Sequence, residues 1–144
     1  MIFEDLLAWQ QARCLVNSIY ALTRRGELAK DFRLCGQLQA AAVSIMSNIA
    51  EGFERTHLQE KIQFYNVARG STGEVRSLLY VVEDNFSATR IDAKRLRGET
   101  GELGKLITGL LESTVRRRGR GQRLALGLLS PISYLLSSSF FDLR

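Results

Sequence analysis

Pro131 is the only proline among 144 residues. Everything before it is free of rings that break helices. Cysteine is almost as scarce: Cys14 and Cys35 are the only two, and His57 is the only histidine. Two thiols cannot make a disulfide framework. Both fall in helical patterns, so they are expected as packed, free thiols of a reducing compartment. With one histidine and no Cys-x-x-Cys pair, a zinc site is not expected. His57, between Thr56 and Leu58, reads as a solvated turn residue, which leaves no base for a Ser-His-Asp or Cys-His set. No run approaches the 20 or so apolar residues that a membrane span needs. Met1-Ile2-Phe3-Glu4-Asp5 has neither the basic nor the apolar region of a signal peptide. A cytoplasmic protein without a membrane partner is the expectation.

A charge excess is also missing from most of the chain. Residues 1 to 115 hold 14 Lys/Arg and 14 Asp/Glu. Residues 116 to 144 hold six arginines and one aspartate, which is the whole of the net +5. The hydrophobic fraction of 45% excludes wholesale disorder and is enough for one domain with a substantial core.

What is present is helical periodicity. Phe3, Leu6, Leu7, Cys14, Leu15, Ile19 and Leu22 predict a first helix over Phe3 to Arg24, closed by Arg24-Arg25-Gly26. A second runs from Asp31, a suitable N-cap, to Phe53 or Glu54, rich in alanine. A third covers Leu58 to Phe86, with Thr56 and Gln59 as its capping box. Gly70-Ser71-Thr72-Gly73 sits inside it and predicts close backbone contact with the second helix, or else a break into two helices. The fourth runs from Asp92 to about Arg118, with Ile91, Leu96, Leu103, Ile107, Leu110 and Thr114 inward. Gly98, Gly101, Gly104 and Gly109 make it the weakest by propensity. Residues 1–118 form the domain, and 119–144 form a basic, then apolar, C-terminal tail that is expected to pack on a subunit or stay unstructured.

Leu34, Leu38, Ala41, Ile45, Asn48 and Gly52 lie on one stripe of the second helix, so Asn48 falls on an apolar seam and needs a hydrogen-bond partner. Asn48, Glu51, Ser71 and Glu74 are expected to converge near the shared turn as a structural polar network. Glu51 and Glu74 as an acid/base or metal pair is the alternative, but a di-metal bundle needs Glu-x-x-His motifs, which this chain lacks. Gly70-Ser71-Thr72-Gly73 has no preceding strand and no Gly-Lys-Ser/Thr end, so it is not a phosphate loop. Trp9, Phe53, Phe64 and Tyr65 read as core or interface anchors.

The sharpest functional cue is Arg116, Arg117, Arg118, Arg120 and Arg123, interleaved with glycine. They read as a flexible phosphate-binding arm, or as a solvated charge run closing the fourth helix.

Leu6-x-x-Trp9-x-x-Ala12 with Tyr20-x-x-Thr23 resembles the opening of the small bacterial four-helix-bundle proteins, some encoded in intervening sequences of 23S ribosomal RNA genes. Leu34-x-x-Gln37-Leu38, with Ala41-x-x-Ser44-Ile45-x-x-Asn48-Ile49-Ala50-Glu51-Gly52-x-x-Arg55, resembles that family's central signature. Phe64-x-x-x-Ala68-Arg69-Gly70-Ser71-x-x-Glu74 resembles its helix 3 signature. The resemblance implies an all-α, up-down four-helix bundle that oligomerises, most often as a homopentamer, with no established enzyme activity and no cofactor. A related branch resembles the accessory proteins of diversity-generating retroelements, which partner a reverse transcriptase and bind nucleic acid. The chain has Ala40 where the family often has arginine, and the apolar tail has no family counterpart.

With four arginines between Arg116 and Arg120, five copies would gather about 20 at one end of a ring and build a potential that no monomer reaches. The expectation is therefore a non-enzymatic homo-oligomer that binds RNA, or DNA, through phosphate. A protein scaffold or accessory subunit for a polymerase-type partner is the alternative.

Overall fold

The computed structural model describes the backbone of residues 1–137 and the side chains of residues 1–121. Four helices follow one another: α1 Leu7–Leu22, α2 Phe32–Glu54, α3 Leu58–Asn85 and α4 Arg90–Ser137. Short 3-10 turns occupy Phe3–Asp5, Leu28–Lys30 and Ser87–Thr89. Among the described residues there is no strand.

Each helix forms where its apolar residues recur every three or four positions. α1 buries Ala8, Ala12, Leu15, Ile19 and Leu22 along one stripe. α1 ends at Leu22 with Thr23 as its C-cap, short of the expected closure at Arg24-Arg25-Gly26, and Gly26, at φ 51°, takes its left-handed conformation in the connection beyond. Asp31 caps α2 as expected, its Oδ1 accepting from the Leu34 amide at 3.0 Å. α2 then buries Leu34, Leu38, Ala41, Ala42, Ile45, Ile49 and Gly52. At its other end Lys61 Nζ donates to the Gly52 and Phe53 carbonyls and so satisfies acceptors the helix leaves open.

Contacts run α1 to α2, α2 to α3, α3 to α4, and α4 back to α1, so the four form a closed helical bundle. Ser44 meets Ser71, and Gly52 meets Tyr65. Likewise Thr72 meets Gly104, and Glu83 meets Arg97. The core is aliphatic, with Ile19, Leu38, Ile45, Ile49, Leu79 and Ile107 fully covered.

Several sequence expectations are corrected. α3 is one uninterrupted helix, and nothing lies within 4 Å of where a Cβ would stand at Gly70 or Gly73. Helical phase explains this: Ser71 and Thr72 are the buried pair and turn the flanking glycines outward. The close approaches are at Gly52, against Tyr65 and Phe64, and at Gly104, against Thr72. The N-cap of α3 is His57, without a side-chain cap bond, and not Thr56. Gln59 instead accepts a hydrogen bond from Arg118. Cys35 is buried, but Cys14 is exposed because it faces away from the α1 stripe. Ile91 is 85% exposed, and Ala93 and Thr100 take the inner positions of α4.

α4 also runs well past its expected end at Arg118. Gly119 and Gly121 cost about 1 kcal/mol each relative to alanine, too little to stop a helix supplied with arginine and leucine. The packing expected of the apolar tail lies outside the described residues.

Candidate nucleic-acid interface

The arginine cluster is built on helical backbone. Residues 116–121 continue α4 without a break, so the expected flexible arm is instead a helical surface. Arg116, Arg117, Arg118 and Arg120 are all exposed. Four residues apart, Arg116 and Arg120 share one face of the helix. Arg118 leans back to α3 and donates through Nη1 to Gln59 Oε1. Arg117 carries its charge towards Tyr65, whose hydroxyl is pushed up by burial and drawn partly back down by that guanidinium. None of the four forms an ion pair with a described residue. Arg123 also falls on α4, but its side chain lies outside the described residues.

The residues expected as a polar network are only partly brought together. Asn48 Nδ2 donates to the Ser44 carbonyl at 2.8 Å and to Ser44 Oγ at 3.1 Å, both on its own helix. The link across to α3 is Ser44 Oγ with Ser71 Oγ, at 2.9 Å. Asn48 is thus half-buried and answered by the serine one turn before it, not directly by a neighbouring helix. Glu51 and Glu74 are exposed and stand outside this chain of hydrogen bonds. Among the described residues, no group of three or more His, Cys, Asp or Glu is placed to hold a metal.

Trp9 packs edge-on to Phe3, with ring centroids 5.1 Å apart, and carries Arg13 over its face. Arg55 lies 4.6 Å over Phe64, and Lys61 lies 5.5 Å over Phe53. These aromatics therefore serve packing and cation–π contacts within the chain.

Sequence reasoning missed a second basic feature, an open groove of about 760 Å³ between α3 and α4. Arg69, Thr72 and Arg76 line one wall, and Gly98, Gly101 and Lys105 line the other. The signal was present in the three-residue steps Gly98, Gly101, Gly104, which place missing side chains on one face of α4. Arg97, at one end, is committed to the fold: its Nε donates to Glu83 Oε1 at 2.6 Å, and its guanidinium lies 4.1 Å over Tyr80.

Among the described residues, no helix is long and apolar enough to cross a membrane. No curated protein matches the sequence. Residues 4–109, which run from the first turn into the middle of α4 and stop short of Arg116, match the 23S rRNA-intervening sequence protein family, and the chain belongs to that family.

Proposed function

We propose that this protein is a non-enzymatic, up-down four-helix bundle that assembles as a homo-oligomer in the cytoplasm and binds RNA through phosphate. The observation that carries the reading is the exposed set Arg116, Arg117, Arg118 and Arg120, held on a helix and free of ion pairs with described residues. Guanidinium groups that are not neutralised within the chain are available to displace counterions from a polynucleotide. Phosphate contacts position a nucleic acid without reading its sequence, so low sequence specificity belongs to this proposal, and DNA would also bind. The cyclic order of helix contacts supports the up-down topology.

Self-association, a pentamer by resemblance, is supported by the surface of α1 and α2. α1 carries a single charged residue, Arg13, and α2 carries none from Leu34 to Ala50. A solvated helix face is ordinarily charged. Here Leu7 is 55% and Val43 is 36% exposed. Covering this face with protein is favourable, and the same observation favours the second reading, a scaffold for a polymerase-type partner without nucleic-acid contact.

Fluorescence anisotropy with a structured RNA at several salt concentrations tests the proposal. Log affinity should fall against log salt by up to about 0.9 per phosphate neutralised on duplex. The Arg116→Ala/Arg117→Ala/Arg118→Ala/Arg120→Ala chain should lose most of that slope. Unchanged binding by this variant would remove the nucleic-acid reading, and a nuclease-resistant, salt-resistant complex with a protein would support the scaffold.

A further inference from the structure

The lining of the α3–α4 groove ends on α4 at Glu112, one turn before the arginine cluster. Lys105, Gly109, Glu112, Arg116 and Arg120 step by four, three, four and four along α4, which keeps them on one side of the helix. On α3, Arg69 and Arg76 share a stripe seven residues apart, are exposed, and make no ion pair with a described residue. Lys105 is held by Glu102 at 2.6 Å, but both side chains are more than 70% exposed, where such a pair contributes little. Glu102 and Glu112 also line the groove and are the charges that oppose an anion there.

The glycines of the groove have no structural employment inside the chain. A Cβ at Gly98, Gly101 or Gly109 would meet nothing within 4 Å, and none of the three has a positive φ. Each nevertheless costs α4 about 1 kcal/mol relative to alanine. Their effect is to leave the space between two rows of cations empty. Packed helices have axes 8–10 Å apart, so this space is too narrow to seat a duplex, whereas a single strand can lie along it.

We propose that the groove seats a single-stranded polynucleotide, its phosphodiester backbone running from Arg76 past Lys105 and Arg69 to Arg116 and Arg120. The assignment rests on the reading of the arginine cluster as phosphate-binding and extends it by about 22 Å along α4, the rise from Gly101 to Arg116.

The test uses the full chain, a labelled single-stranded oligonucleotide and a labelled hairpin. Gly98→Leu/Gly101→Leu fills the groove where no neighbour is displaced, so its melting temperature should be at or above the parent's. Its affinity for the single strand should fall several-fold, while hairpin binding at the cluster persists. Gly98→Ala/Gly101→Ala, with much smaller side chains, should bind nearly as the parent does. Arg69→Ala/Arg76→Ala should make the single-strand salt slope shallower by about 0.7 for each arginine. If the leucine and arginine variants bind the single strand as the parent does, while removal of Arg116, Arg117, Arg118 and Arg120 abolishes binding, the groove is overturned and the cluster stands. A parent that binds the hairpin but not the single strand overturns the groove alone. A parent that binds neither overturns both.

Discussion

Gly52 on α2 lies against the ring of Tyr65 on α3, so close that a Cβ at Gly52 would stand 2.6 Å from Tyr65 Cε1 and 3.1 Å from Phe64 Cβ. Tyr65 is buried.

Gly52→Ala should therefore destabilise the fold although alanine is the better helix former. Propensity returns about 1 kcal/mol, but overpacking a tight contact costs about 1–3 kcal/mol. Thermal denaturation should show a lowered melting temperature. Gly73→Ala, at an open helical position, should raise it by about 2–4 °C for each kcal/mol gained. A rise for Gly52→Ala would mean that Tyr65 moves freely.

The two thiols should separate under a thiol reagent. Cys14 is exposed on α1. Cys35 is buried, and its Sγ donates to the Leu28 carbonyl at 3.1 Å and to the Thr23 carbonyl at 3.6 Å. Burial, reinforced by the nearby Asp31 carboxylate, raises the Cys35 thiol above its ordinary value and lowers its thiolate fraction. Native protein should react at once through Cys14, and Cys35 should follow only on unfolding. Equal rates in native protein would place Cys35 in a loosely packed site.

The helices were legible because periodicity is a property of the chain alone: the stripe Leu34, Leu38, Ala41, Ile45 buries as its spacing predicts. Asp31 was legible for the same reason, since cap chemistry is local. The glycines were not, because their meaning lies in what stands opposite. Gly52 and Gly104 are tight only because Tyr65 and Thr72 face them, while Gly70 and Gly73 look identical in sequence and face solvent. The polar network failed at Glu51 and Glu74 on a matter of helical phase, and Ser44, the residue that joins Asn48 to Ser71, carries no signal beyond its four-residue spacing from Asn48.

That junction has a measurable coupling. Ser44 and Ser71 share one hydrogen bond across α2 and α3, with Ser71 buried. Ser44→Ala and Ser71→Ala should each cost about 1 kcal/mol in urea denaturation, and the double variant clearly less than the sum. Strict additivity would mean that the two hydroxyls bond elsewhere.

The α1 end and the α4 start are joined by a charge pair whose pH dependence follows from its sign. Asp92 accepts from Arg25 and also lies 3.5 Å from Arg95. The hydrogen bond from Arg25 holds the Asp92 carboxyl below its ordinary value, the charges of Arg25 and Arg95 adding to it. A carboxyl whose folded value is depressed contributes stability above the ordinary aspartate value near pH 4 and loses it as pH falls towards the folded value. Arg25→Gln should therefore be less stable than the parent at neutral pH, and the two should converge in acid below about pH 4. Because the pair is exposed, salt should also shrink the difference at neutral pH. Urea melts at neutral and acid pH, with and without added salt, check both effects. A difference that persists unchanged in acid would show that Arg25 acts through packing of its stem and not through Asp92.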